Sequence, residues 1–251
     1  MTTSFEPYLA RDIALGEHRL DLLVADAHGQ EWYDAGGDRL IPERRWCLEQ
    51  IRPGFTVVDC GGHHGLMSIL FSLAAGDTGR VLTWEASPRN AEIFAANVAR
   101  NGRRNITLTN RALGAARGRV GFRDNGGNTH VGNAVHDVVS EAAMEVYRLD
   151  DEIGAARVDF LKIDVEGSEL PILQGAGAVL DQRPIIDLEI HNFLFAQPLP
   201  VLGRIFAILD ARGYSYAVLP EPISEIVEVG TSMPLEWLSG MDNPHVFCTR
   251  G

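Results

Sequence analysis

Lysine is all but missing from this chain. Lys162 is the only one, and every other fixed positive side chain is an arginine. Positive charge is scarce altogether: 22 Lys and Arg face 34 Asp and Glu, for a net charge of −12. That balance argues against a nucleic-acid backbone as partner. Cysteine is scarce too. Cys47, Cys60 and Cys248 are scattered and form no Cys-x-x-Cys pair, which excludes a disulfide framework or a cysteine zinc site and fits a reducing cytosol. No apolar run approaches the ~20 residues of a membrane span. Met1 to Leu20 carries Glu6, Arg11, Asp12, Glu17 and Arg19 where a signal peptide needs an apolar core. The expectation is a cytoplasmic protein with no membrane partner, and without internal repeats or low-complexity tracts.

What is present is a core-forming composition. The 251 residues are 45% hydrophobic, enough for one large α/β domain with an added segment. Residues 1–50 read as a β-rich N-terminal cap, ending in a short helix from Glu43 to Ile51 before Pro53-Gly54. Residues 51–251 read as the main domain. There strands are expected at Thr56–Asp59, Arg80–Glu85, Ile106–Leu113, Phe160–Glu166, Pro184–His191, Tyr214–Leu219 and His245–Thr249, with a further hairpin strand at Arg119–Arg123. Helices are expected at Leu66–Ala75, Pro88–Asn101, Glu169–Leu180 and Pro200–Arg212. Such alternation implies a mostly parallel sheet covered on both faces. Residues 124–148 and 220–244 break the rhythm and read as lids over the carboxyl edge of the sheet.

Three stretches carry chemistry. The first is Asp59-Cys-Gly-Gly-His-His-Gly65, a glycine turn between a strand and a helix. Gly61, Gly62 and Gly65 let the backbone approach a ligand, and the helix start offers free N–H groups. The spacing is not the Gly-x-Gly-x-x-Gly of dinucleotide enzymes, and a plain tight turn would look the same. Glu85 tips the balance: a carboxylate at the end of the next strand can accept two ribose hydroxyls.

The second stretch is Phe160 to Glu169. Lys162, Asp164 and Glu166 alternate with apolar residues, so strand geometry puts all three on one face of a buried strand. Buried charges need partners, and charges at the carboxyl tip of a parallel strand usually serve a ligand. Gly167 ends the strand, and Ser168 can cap the following helix with Glu169 near its positive end. Lys162 reads as a structural partner of Asp164, and Asp164 as functional. The third stretch, Asp187, Glu189 and His191, repeats the pattern on the next strand. Asp164, Glu189 and His191 can together hold a divalent cation such as Mg²⁺. They can also act without metal, with His191 as general base, or form a hydrogen-bonded polar edge with no catalytic part.

These stretches, with Trp84-Glu85-Ala-Ser-Pro88, Asn110-Arg-Ala-Leu-Gly114, Arg148-Leu-Asp-Asp151 and Gly175-Ala176, resemble the FkbM family of S-adenosylmethionine-dependent methyltransferases over residues 50–195. The Lys-Ile-Asp-Val-Glu-Gly run is the specific part; the glycine loop is shared by class I methyltransferases. The resemblance implies a Rossmann-like α/β fold with a seven-stranded, mostly parallel sheet, an antiparallel last strand and helices on both faces. It implies a donor site drawn from Asp59, Gly61, Gly62, His63, Gly65, Glu85, Ala86, Ala112 and Asp164. The family commonly has Asn where this chain has His63, a departure inside the cofactor loop. The reaction implied is methyl transfer to a hydroxyl or carboxyl oxygen of a small molecule, in natural-product or saccharide modification. Alternatives are an inactive module that only binds the cofactor, or a nicotinamide-dependent reductase, disfavoured because no Tyr-x-x-x-Lys pair exists. A homodimer through the N-terminal segment is a possible assembly.

Overall fold

A computed structural model of the chain describes residues 5–34, 40–123, 130–131 and 142–250. The chain opens with the hairpin β1 (Tyr8–Leu15) and β2 (His18–Val24), then α1 (Ala27–Tyr33) and α2 (Pro42–Gln50). It continues through β3 (Thr56–Cys60), α3 (Leu66–Ala75), β4 (Arg80–Trp84), α4 (Pro88–Arg100) and β5 (Ile106–Thr109). Next come β6 (Ala112–Leu113), β7 (Gly118–Arg123), β8 (His130–Val131), β9 (Ala142–Tyr147) and α5 (Leu149–Ile153). β10 (Phe160–Ile163), α6 (Glu169–Gln174), α7 (Gly177–Asp181), β11 (Ile185–Glu189) and α8 (Pro198–Asp210) follow. The chain closes with β12 (Tyr214–Leu219), β13 (Val227–Gly230), α9 (Leu235–Ser239) and β14 (His245–Arg250).

The main sheet has the order β13-β12-β14-β11-β10-β3-β4-β5. From β11 to β5 every neighbour is parallel, and β14 runs antiparallel to both β11 and β12. The last strand is therefore antiparallel, as expected, but the sheet has eight strands rather than seven. The addition is β13, an edge strand from within the 220–244 segment. Only two of its four residues are apolar, too weak a pattern to read as a strand, and its exposed face needs no more. α9 lies in the same stretch.

The central strands are apolar because both faces are covered: all residues of β3 and β10 are buried. Leu161, Ile163, Ile186 and Leu188 join Leu173, Leu202 and Phe206 in one cluster, while Phe160, Val57 and Phe71 form another on the opposite face. Burial at about 25 cal/mol per Å² of apolar surface makes this the main stabilising term.

Several boundaries differ from expectation for identifiable reasons. The third strand stops at Thr109, because the Asn110 amide turns to donate to the Glu85 and Ala86 carbonyls at 2.7 and 3.0 Å. Ala112–Leu113 then joins a separate four-stranded sheet, β6-β9-β7-β8. The helix expected over Glu169–Leu180 breaks into α6 and α7 at Gly175, where a Cβ would sit 2.1 Å from the Gly114 carbonyl oxygen. Ser168 makes no capping bond; the Gly167 N–H instead donates to Glu169 Oε1 at 3.0 Å. Of the first expected lid, 124–148, residues 142–147 are β9; residues 124–129 and 132–141 lie outside the described residues.

The N-terminal hairpin shares core with α3, burying Ile13, Leu20 and Leu22 against Leu66, Ile69 and Leu70. Two asparagines fasten it, Asn97 on α4 and Asn101 at the cap that ends that helix. Asn97 accepts from Leu23 N at 2.6 Å and donates to Leu23 O at 3.1 Å; Asn101 does the same for Asp21 at 3.1 and 2.8 Å. Each amide mimics a neighbouring strand for the hairpin backbone. No helix among the described residues is long and apolar enough to cross a membrane.

Candidate active site

β4, β3, β10 and β11 are consecutive and parallel, so their carboxyl ends open on one side, where ligands of open α/β sheets bind. A cavity of about 590 Å³ lies there. Its sheet wall is made by Gly61, Gly62 and His63 after β3, Glu85 and Ala86 after β4, Ala112, Asp164 and Glu166 after β10, and Glu189 and His191 at the end of β11. The rest of the lining includes Trp32 and Tyr33 of α1 and Arg44 of α2, with Phe193, Ile223 and Asn243.

The glycine loop is shaped by close approach. Gly61 has φ +98°, and a Cβ on it would lie 1.8 Å from the Asp164 carbonyl oxygen, so only glycine lets the β3 and β10 tips touch. His63 also adopts a positive φ, +44°. Its backbone N–H donates to Glu85 Oε2 at 2.8 Å, while the Ser87 N–H donates to Glu85 Oε1 at 2.8 Å. The Glu85 carboxylate is thus fixed in direction at the cavity wall.

Beyond the β10 and β11 tips lies a cluster of acids around one imidazole. His191 Nδ1 is 2.6 Å from Glu169 Oε1, and its Nε2 is 3.5 Å from Glu166 and 3.8 Å from both Asp164 and Glu189. Burial opposes charge on His191, but the Glu169 hydrogen bond and the Glu189, Glu169 and Glu166 charges outweigh it and raise its pKa to about 10. Burial pushes Glu189 up to about 7, and Asp164 adds to the shift. Glu166 also rises to about 7, again by burial with Asp164 and Glu189 nearby. Asp164 moves the other way: burial raises it, but the Lys162 and His191 charges more than offset that.

Behind this cluster sits the lone lysine. Lys162 Nζ is 3.0 Å from Glu43 and 3.5 Å from both Asp164 and Asp187. His245 closes the network, with Nδ1 2.9 Å from Asp187 and Nε2 3.5 Å from Glu189. A buried ammonium costs several kcal/mol unless ringed by acceptors, and here Glu43 of α2, Asp164 at the β10 tip and Asp187 of β11 provide them. The network ties the N-terminal segment to the sheet.

The Methyltransferase FkbM domain matches residues 59–216, from the glycine loop to β12. The chain belongs to the FkbM methyltransferase family. No curated protein matches it. Among solved structures, it is similar to a putative rRNA-methylase from Clostridium thermocellum, at TM-score 0.50 and 10% identity, covering 83% of this chain and 94% of that one. It is also similar to precorrin-6y C5,15-methyltransferase from Geobacter metallireducens (TM-score 0.48, 14% identity, 83% and 87% covered). A third is fibrillarin of Aeropyrum pernix in complex with natively bound S-adenosyl-L-methionine (0.47, 12%, 97% and 100%). Such low identities speak to the fold alone, which is that of the class I methyltransferases.

The residues of this FkbM protein fit S-adenosylmethionine. The Gly61 turn leaves backbone without side chain at the cavity wall, Glu85 stands at the second strand tip, and acids face a donor that carries positive charge. They do not fit Mg²⁺. That ion prefers near-octahedral oxygen ligation, whereas the Asp164–Glu189–His191 set supplies an imidazole, and the Lys162 ammonium already lies 3.5 Å from Asp164 Oδ2.

Gly62, His63, Ala86, Ala112, Asp164, Glu189 and His191 all line the cavity. Asp59 and Gly65 do not. Asp59 is fully buried and accepts from Ser68 Oγ, and Gly65 sits against Phe94, so both support the loop from behind. Glu166 lies beyond the strand, yet it lines the same cavity as Lys162 and Asp164. β10 ends at Ile163, and a turn with φ +49° at Glu166 points it toward His191. Sequence reasoning missed Trp32, Tyr33, Arg44 and His245, whose places depend on tertiary packing. Glu169 read as a helix-start acid; its separation from His191, 22 residues, is invisible to local patterns.

Proposed function

We propose that this FkbM protein transfers the methyl group of S-adenosylmethionine to a hydroxyl oxygen of a small molecule bound between the strand tips and α1. The observation that carries this reading is the His191–Glu166–Glu189 cluster facing the same cavity as Gly61 and Glu85. An alcohol is a poor nucleophile until its proton leaves, and a cluster of titratable groups at the acceptor end supplies a place for that proton.

The donor, when bound, supplies an electrophilic methyl on a positively charged sulfur. The chain supplies the rest. Gly61, Gly62 and Glu85 orient the nucleoside end, and aligned reactants gain a large effective concentration. Glu189, raised toward neutrality by burial, accepts the hydroxyl proton as the new O–C bond forms and the S–C bond breaks. His191 carries a proton near neutrality, held there by Glu169. It acts as a cationic hydrogen-bond donor that steadies the acids rather than as a free base. Asn243 Nδ2 donates to Glu189 Oε1 at 3.0 Å and fixes its direction. Trp32, Phe193 and Ile223 make part of the lining apolar, which suits an acceptor with a hydrocarbon or ring face.

The test is a cofactor-dependent thermal shift followed by single-turnover transfer to a panel of sugar, polyketide and peptide hydroxyls. S-adenosylhomocysteine at about a hundredfold excess over its Kd adds about 2.7 kcal/mol. Glu189→Gln should keep that shift and lose transfer by ~10²-fold or more. No shift at saturating cofactor removes the reading; undiminished transfer by Glu189→Gln removes the role of that residue.

A further inference from the structure

Away from the acid cluster, a second group of donors gathers where α1 meets the glycine loop. Asp26, the residue that caps α1, lies beneath His63 and His64. Its Oδ2 is 3.5 Å from His63 Nε2 and 3.3 Å from His64 Nε2. All three atoms are buried without a hydrogen-bond partner. Three orphaned polar atoms gathered within 4.8 Å of one another is an arrangement proteins avoid unless something sits among them.

The spacings discriminate between explanations. Charge-assisted N–H···O bonds close to about 2.7–2.9 Å, and these contacts are longer. Donors around a tetrahedral metal, at bonds of about 2.0–2.2 Å, stand about 3.4 Å apart, which is what Asp26 makes with each imidazole. Two of the three ligands also carry the outer hydrogen bonds that orient metal-binding side chains: Asp26 Oδ1 accepts from Gly29 N at 2.7 Å, and His63 Nδ1 pairs with the Tyr33 hydroxyl at 2.6 Å. The two imidazoles stack at 3.8 Å, 15° from parallel. A cation would turn His64, whose ring no hydrogen bond holds.

We propose that Asp26, His63 and His64 form a site for a divalent transition metal, with Zn²⁺ the ion its ligands suit best, fastening α1 to the glycine loop. Two imidazoles and one carboxylate are a zinc-type set, and His63 also lines the cavity. No lysine stands in this group, unlike the Asp164 cluster. The inference is independent of the acceptor chemistry proposed above.

The test is titration of the chelator-stripped full chain with Co²⁺ and Zn²⁺. One equivalent should bind, with the visible absorption of four-coordinate Co²⁺, and Zn²⁺ should displace it and raise the Tm. Asp26→Asn and His64→Asn should weaken binding by a hundredfold or more, while His191→Asn leaves it unchanged. X-ray absorption of the zinc-loaded wild-type chain needs no variant and should show two imidazoles in the first shell. Absence of a stoichiometric site at about 100 µM metal overturns the proposal. So does a shell with one imidazole, or binding that is lost in His191→Asn but kept in His64→Asn.

Discussion

His191 and Glu169 meet across the turn after β10, Nδ1 to Oε1 at 2.6 Å, both side chains nearly sealed from solvent. Glu169 is thereby the partner that keeps the imidazole charged. With the acid replaced by an amide, burial is opposed by fewer charges, and the proton is held less tightly. Glu169→Gln should bring the His191 titration down from about 10 toward the ordinary value of about 6.5. NMR of the imidazole ring checks this directly. A value that stays put would assign the shift to Glu166 and Glu189 instead.

The same pKa shifts set the pH range in which the fold is most stable. His191 and His245 are raised, to about 10 and about 9, so the folded protein holds these protons more tightly than the unfolded chain. Their contribution is complete below about pH 6.5 and disappears as pH climbs through 9 and 10. Glu166 and Glu189, raised to about 7, add a contribution complete below about pH 4.5 and lost by about pH 7. Glu43 is lowered to about 2, with Lys162 and His245 outweighing the burial that raises it. Its contribution is present above its ordinary range and is lost as pH falls through about 2. Differential scanning fluorimetry should therefore find the highest Tm near pH 5, with a decline toward pH 10. His245→Asn should flatten the alkaline part of that decline.

Lys162 tests how much of the structure depends on one cation. Its removal leaves Glu43, Asp164 and Asp187 facing one another inside the protein. Breaking a buried ionic network from one side costs about 3–5 kcal/mol. Lys162→Met should lose that much in urea unfolding. Adding Glu43→Gln and Asp187→Asn, which removes the stranded charges, should recover a good part. If the single variant is as stable as the parent, the network contributes nothing to folding.

The elements whose sequence alone dictates their environment were legible. Leu66–Ala75 and Tyr214–Leu219 begin and end where pattern places them, because both are apolar stretches bounded by glycine or a turn. β10 was legible as a strand but not in its length, since the chain leaves the strand after Ile163 and turns at Glu166. The glycine loop, Glu85, Asp164, Glu189 and His191 were legible as a group because strand tips of a parallel sheet converge by topology. Trp32, Arg44 and His245 were not. α1 reaches the cavity only because Asn97 and Asn101 hold the preceding hairpin on α4, a contact between segments more than seventy residues apart.

Gly61 should tolerate no side chain. Alanine there must enter a left-handed conformation and also displace the Asp164 carbonyl, 1.8 Å from its Cβ. Gly61→Ala should lower Tm by several degrees and abolish the thermal shift with S-adenosylhomocysteine. An alanine variant with normal cofactor binding would mean that the β3 and β10 tips separate freely.

Comparing the charged donor with its neutral product isolates the acid cluster's electrostatic role. S-adenosylmethionine and S-adenosylhomocysteine share the nucleoside, the amino group and the carboxylate; only the former bears a positive sulfur. Glu166 and Glu189 gain charge as pH rises through about 7. Even at about 8 Å and an effective permittivity of about 20, one such carboxylate attracts a unit positive charge by about 2 kcal/mol. The Kd ratio of product to donor should therefore increase by about thirtyfold or more between pH 5.5 and 8, measured by calorimetry in constant ionic strength. The ordinary ionisations of the amino and carboxyl groups affect both ligands and cancel in the ratio. Glu189→Gln should halve the increase or more. A ratio indifferent to pH would put the sulfur far from these acids, and methyl transfer would then have to occur at another part of the cavity.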